Sequence, residues 1–211
     1  IEEVDKLTGP ISGRPKSATF RTADVVGLDT LKSVSLTTYE KALVDEERDL
    51  FQIPKVLQQL IDEERLGQKT RKGFYKKNSN GEIYSIDFKT NSYSALKKVR
   101  FDCFRVAKSY QKTDDRIKAL SSGDDKGSKY FWEIMTRTLI YSANRIPEIS
   151  NDIINIDNAM KWGFGWEFGP FESWDILGVR NSCERMTAEG KKVPKWVSEM
   201  LSAGNETFYK K

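Results

Sequence analysis

Apolar residues along this chain return mostly at every third or fourth position, and in one stretch at every second. From Tyr130 to Ile146 the apolar set Phe131, Ile134, Met135, Leu139 and Ala143 falls on one helical face, which predicts a long helix. Between Ile83 and Phe88 the pattern alternates, with Tyr84, Ile86 and Phe88 on one side. Asn78-Ser79-Asn80-Gly81 precedes it, and together they predict a β-hairpin with a Gly-containing turn. Prolines mark helix starts elsewhere. Gly169-Pro170 places Pro at the first helical position, where no amide donor is wasted, and Glu172 near the positive end of the helix dipole. Ile53-Pro54 and Val193-Pro194 open two further helices, and Gly67 is the expected stop for the first of them. Ser94 to Lys118 is basic with spaced apolar residues and reads as a connector with helical turns. Ser121 to Gly127 is the clearest loop.

The pattern is duplicated. Thr19–Leu28 (TFRTADVVGL) pairs without gaps with Pro170–Val179 (PFESWDILGV), so that Phe20, Asp24 and Gly27 meet Phe171, Asp175 and Gly178. Val4-Asp5 pairs with Ile156-Asp157 after a one-residue shift, and Pro54-Lys55-Val56-Leu57 with Pro194-Lys195-Trp196-Val197. Phe74-Tyr75-Lys76-Lys77 recurs as Phe208-Tyr209-Lys210-Lys211. Four blocks in one order predict two copies of a helical unit. The long Tyr130–Ile146 helix has no counterpart before Ile1, and the hairpin none after Lys211. Both ends therefore read as cuts inside a larger protein. The expected layout is all-α, with two repeated helical units and a small β-hairpin after the first. Residues 1–93 are the first repeat, lacking its first helix; 94–125 are a connector; 126–211 are the second repeat, lacking its closing hairpin.

Composition limits the chemistry. Histidine is absent, which removes the side chain best suited to proton transfer near neutral pH and the commonest zinc ligand. Cys103 and Cys183 lie far apart in sequence and read as two buried thiols. No catalytic or metal-ligating set is predicted. No run approaches the length of a membrane span, and the reading is a cytoplasmic protein with no membrane partner. The net charge of +4 is unevenly spread: Arg65, Lys69, Arg71, Lys72, Lys76 and Lys77 occur with no acidic residue among them. Such a run suits a phosphate-bearing partner.

Gly163-Phe164-Gly165-Trp166-Glu167-Phe168-Gly169 is the nearest thing to a nucleotide fingerprint. A dinucleotide cradle needs a preceding strand and a following helix start, whereas here a helix is expected first. The stretch reads as a tight turn that packs Trp162, Phe164, Trp166, Phe168, Phe171 and Trp174 into the core. Gly13-Arg14-Pro15-Lys16-Ser17-Ala18-Thr19 brings cations and hydroxyls to a helix start, either as an anion site or as a capped helix with solvated basic side chains. Asp24 and Asp175, equivalent in the two copies, are expected to hold neighbouring loops.

Gly13–Thr30 (GRPKSATFRTADVVGLDT), with Gly67–Tyr75 (GQKTRKGFY), resembles the C-terminal domain of 3-hydroxyacyl-CoA dehydrogenases. Ala143-Asn144-Arg145-Ile146 and Trp162–Phe171 give the second copy the same resemblance. The tandem is similar to that of multifunctional fatty-acid oxidation proteins, which also carry enoyl-CoA hydratase activity. The resemblance implies NAD-dependent oxidation of a 3-hydroxyacyl-CoA to the 3-ketoacyl-CoA in β-oxidation. In the family, NAD, the catalytic histidine and its glutamate belong to a Rossmann domain, so the resemblance implies no catalytic residue and no cofactor within this chain. It implies partners too: acyl-CoA substrate shared with that Rossmann domain, and a repeat-to-repeat pseudo-dimer contact. Asn144-Arg145 matches a family pair, but in the copy that mimics a dimer partner. The family's Gly-Pro-Phe turn at the substrate cleft is intact as Gly169-Pro170-Phe171 and falls on Ala18-Thr19-Phe20 in the first copy. Lys16, Ser17 and Phe20 are the expected substrate-facing residues. The alternative reading is a non-enzymatic helical module binding nucleic acid or another polyanion through its basic segments.

Overall fold

The computed structural model describes residues 1–210; Lys211, the last residue of the repeated tetrapeptide, lies outside them. The chain forms two compact units, one of residues 1–5 and 17–99 and the other of residues 6–16 and 100–211. Eleven α-helices, three short 3-10 helices and one three-stranded sheet account for the regular structure among the described residues. The all-α expectation holds.

The first unit contains the start of α1 (Glu2–Leu7), then α2 (Phe20–Val26), α3 (Leu28–Lys41) and α4 (Lys55–Asp62). The meander β1 (Tyr75–Lys77), β2 (Ile83–Asp87) and β3 (Ser92–Ala95) follows, antiparallel in the order β1-β2-β3. The expected hairpin therefore has a third strand, with Ile86 opposite Tyr93. Leu28, Leu57, Leu60, Phe74 and Ile86 form the core, with Phe20, Ala23 and Tyr75 packed against it. α4 begins after Pro54 as expected, but Gly67 does not stop it. The helix ends in a Schellman turn in which Glu64, at φ 54°, takes the left-handed conformation, and Arg65 N donates to Leu60 O at 2.8 Å. No local signal marks a glutamate for that position.

The second unit holds α5 (Asp102–Ala107), α6 (Thr113–Ser122), α7 (Lys126–Asn144), α8 (Ile153–Phe164), α9 (Pro170–Leu177), α10 (Val179–Ala188) and α11 (Lys195–Ser202). The segment expected as a connector carries α5 and α6, whose Cys103, Ala107, Ile117 and Leu120 enter this unit's core beside Phe131, Phe171 and Trp174. Asp125 explains where α7 begins: its carboxylate accepts from Ser128 N at 2.7 Å as an N-cap and from Cys103 N at 2.7 Å. The aromatic cluster is split rather than buried together. Phe171 and Trp174 are fully enclosed, but Trp162 and Phe164 stand 80% and 61% exposed on the last turn of α8.

Candidate functional site

Each unit is held by two aspartates that accept backbone amides. In the first, Asp5 on α1 accepts from Thr19 N, Phe20 N and Arg21 N at 3.1, 2.7 and 3.2 Å, which satisfies the amides at the start of α2. Tyr75 Oη donates to the same carboxylate at 2.8 Å. Asp24 on α2 accepts from Phe74 N and Tyr75 N, both at 2.8 Å. In the second unit Asp157 accepts from Phe171 N, Glu172 N and Tyr209 Oη at 2.8, 3.0 and 2.8 Å. Asp175 accepts from Phe208 N and Tyr209 N at 2.8 and 3.0 Å. Pro170, lacking an N–H, accounts for the one amide fewer at Asp157. Asp24 and Asp175 thus hold the loops that follow the last helix of each unit, as the matched blocks predict.

These bonds impose close packing. A Cβ at Gly73 would sit 2.1 Å from Asp24 Oδ1, and one at Gly67 2.3 Å from the Asp24 carbonyl oxygen. Gly169 is bound in the same way, 2.4 Å from Asp157 Cβ. Burial pushes the Asp24 carboxyl up to about 6 against the pull of its two amide donors. Burial raises Asp157 as well. The Tyr75 hydroxyl is pushed far above its usual range by burial and by Asp5.

The loop anchored on Asp24 opens a cleft of about 730 Å³ in the first unit. Arg21 at the start of α2, Gln68 and Arg71 on the loop, Lys76 and Lys77 on β1, and Ser79 in the β-turn contribute to its walls. Three of the six cations in the run Arg65 to Lys77 lie outside this lining: Arg65 pairs with Glu63 at 2.9 Å, Lys69 pairs with Asp29, and Lys72 is not among the wall residues; Lys76 contributes to the lining, but its ammonium reaches over the Tyr93 ring at 5.7 Å.

Lys16 is exposed; Ser17 is half-buried and its Oγ accepts from Thr22 Oγ1 at 2.8 Å. Phe20 packs edge-on against Phe74, ring centres 4.7 Å apart. None of the three lines the basic cleft, although Arg21, the next residue, does. Arg14 stacks over Trp166 at 4.0 Å, where desolvation draws its guanidinium down to about 10. Asn144 is exposed at the end of α7, and Arg145 pairs with Glu148 at 3.0 Å. The cleft itself could have been suspected from the basic run, but Arg21 could not, because it lies some fifty residues away in sequence.

The Gly163–Gly169 stretch does not fit a dinucleotide. It follows helix α8 rather than a strand, Gly165 ends that helix in the left-handed conformation, and Gly169 is packed onto Asp157. Among the described residues no group of three or more potential metal ligands occurs. No described helix is long and apolar enough to cross a membrane.

Both units are helical, with aspartates that clamp a helix start and a Phe-Tyr loop. The family model described as 3-hydroxyacyl-CoA dehydrogenase, C-terminal domain, matches residues 1–77. Residues 1–77 belong to the C-terminal domain family of the 3-hydroxyacyl-CoA dehydrogenases. A Bacillus subtilis (strain 168) protein named as a probable 3-hydroxyacyl-CoA dehydrogenase is 46% identical over 209 residues, covering 99% of this chain and 26% of that protein. A Rickettsia felis protein provisionally named fatty acid oxidation complex trifunctional enzyme is 30% identical over 173 residues, 80% of this chain and 22% of that protein. A Deinococcus radiodurans protein named as a probable 3-hydroxyacyl-CoA dehydrogenase is 39% identical over 101 residues, 48% of this chain and 28% of its own length. The chain spans about a quarter of the length of these relatives.

Proposed function

We propose that this chain is the substrate-side and dimerisation-like part of an NAD-dependent 3-hydroxyacyl-CoA dehydrogenase of fatty-acid β-oxidation, with the second unit a further copy of the first unit's domain. The observation that carries the reading is the aspartate clamp recurring at Asp5 and Asp157, and at Asp24 and Asp175, in a chain whose first unit is of that family. The reaction moves a hydride from C3 of the 3-hydroxyacyl-CoA to NAD⁺ and releases the hydroxyl proton, giving the 3-ketoacyl-CoA. A base and a dinucleotide site for that step are to be sought outside these residues, since the chain has no histidine and its glycine-rich stretch does not fit the cofactor. Here the chain's own part is to shape and bind: Phe20 at the start of α2, and Lys16 and Ser17 in the turn before it, are the residues we assign to the acyl-CoA side.

The test compares NADH formation from a 3-hydroxyacyl-CoA and NAD⁺ by this chain alone and by a protein of the relatives' length that includes it. The chain alone is expected to give none and the longer protein to turn over. Turnover by the chain alone would place the chemistry within it and overturn the reading. Absence of turnover in the longer protein would overturn the dehydrogenase assignment.

A further inference from the structure

We propose that the cleft of the first unit is a binding site for a small ligand carrying two neighbouring phosphate groups, held by Arg21, Arg71 and Lys77. Three cations, Arg21, Arg71 and Lys77, meet one carboxylate there, because Lys76 points to the other face of β1, over Tyr93; that carboxylate, Asp24, has both oxygens taken by the amides of Phe74 and Tyr75. No carboxylate among the described residues lies within ion-pair distance of any of the three. The volume of about 730 Å³ lies within the range of small-molecule sites. Like charges gathered in a concave wall raise the local potential and favour a compact anion, and a guanidinium matches phosphate oxygens two at a time.

The second unit shows that Arg21 and Arg71 are not what the domain needs in order to fold. At the place of Arg21 it carries Glu172, which accepts from Gly169 N at 2.8 Å and pairs with Lys161 at 2.7 Å. Its loop is shorter as well: Phe208 follows Met200 by eight residues, whereas Phe74 follows the equivalent Leu60 by fourteen. The last-turn bonds fix that equivalence, with Asn205 N donating to Met200 O as Arg65 N does to Leu60 O. The six additional residues bring in Gln68 and Arg71. Arg71 is held at φ 59°, a left-handed conformation that costs a non-glycine residue free energy. The clamp and the Phe-Tyr-Lys-Lys sequence are common to both copies; Arg21 and Arg71 belong to the first alone.

The test is isothermal titration of the whole chain with inorganic pyrophosphate, coenzyme A, dephospho-coenzyme A and a short single-stranded oligonucleotide. The variants are Arg71→Gln/Lys77→Gln, both side chains exposed, and Lys118→Gln on α6 as a control. Pyrophosphate is expected to bind saturably, about tenfold more weakly in the double variant and unchanged in the control. Circular dichroism is expected to be the same for all three proteins. Coenzyme A binding more tightly than pyrophosphate through the same cations identifies the phosphates as a thioester's. Pyrophosphate binding as tightly as coenzyme A identifies a free polyphosphate. Assigning them to an acyl-CoA rests on the dehydrogenase reading, but the pyrophosphate titration does not, so loss of one leaves the other standing. Pyrophosphate failing to bind, or binding equally to the double variant, overturns the site. Binding of the oligonucleotide alone through these cations overturns it in favour of a nucleic-acid surface.

Discussion

A carboxylate that accepts two backbone amides and is also withdrawn from water is pulled in opposite directions, and at Asp24 withdrawal prevails. Its amide donors favour the charged form, yet burial raises its pKa from 3.8 to about 6. A carboxyl with a higher pKa in the folded than in the unfolded chain binds its proton more tightly when folded. It therefore favours folding most below about pH 4, and that contribution falls away as pH rises to about 6. The full difference is on the order of 3 kcal/mol. Other acids oppose it: Glu189, for example, is held low by Trp132 and Arg185 against burial, so it stabilises the fold above its unfolded pKa and less as pH falls. Asp24 must accordingly be isolated by difference. Asp24→Asn loses one acceptor at every pH but removes the titration. Urea unfolding at pH 4 and pH 7 should show the parent losing more stability between the two than the variant does. Equal losses would show that the Asp24 carboxyl has the same pKa in the folded and the unfolded chain.

At the level of elements, two helices with the same ending but different residues there offer an internal comparison. α4 and α11 both finish in a Schellman turn, with Glu64 at φ 54° in one and Gly204 at φ 85° in the other. The left-handed conformation costs a residue with a Cβ roughly 1–2 kcal/mol, partly offset because glycine loses more backbone entropy on folding. Glu64→Gly is expected to stabilise the chain by about 0.5–1 kcal/mol and Gly204→Ala to destabilise it by about 1 kcal/mol. Chemical denaturation of each variant checks both signs. The Glu64 ending also shows where the sequence was opaque. Proline placed the starts of α4, α9 and α11, and alternation placed β2, because both act through the local backbone. A glutamate forced into a glycine conformation is imposed by tertiary packing and leaves no local mark. Gly67, read as the stop, is instead needed three residues later for its approach to Asp24. β3 was missed because Ser92-Tyr93-Ser94-Ala95 is too short and polar to show a period.

For the whole molecule, the repeat was the most legible feature, since Asp5, Asp24, Phe20, Phe74 and Tyr75 recur as residues that must be identical to make the same bonds. The basic cleft was only half legible: Lys76 and Lys77 belong to a visible run, whereas Arg21 joins them through the clamp on Asp24. What the repeat conceals is a difference in how well each unit is filled. Among the described residues, seventeen buried ones make up the core of the second unit, Trp174, Phe171 and Phe131 among them, against five in the first. Apolar burial stabilises by roughly 25 cal/mol per Å², so the smaller core leaves the first unit less protected. Its exposed Val34, Leu43, Val44 and Leu50 contribute little to offset that. Local stability follows buried apolar contact, and amide exchange should report it directly. The amides of Leu57 and Leu60 on α4 are expected to exchange faster than those of Leu139 and Ala143 on α7, at a denaturant concentration where the second unit is still folded. Filling the first core selectively, or binding a ligand in its cleft, should narrow the gap, because a ligand held only by the folded unit stabilises that unit by mass action. If α4 and α7 exchange at one common rate and respond together to denaturant, the two units unfold as one cooperative body and core size does not set their separate stabilities.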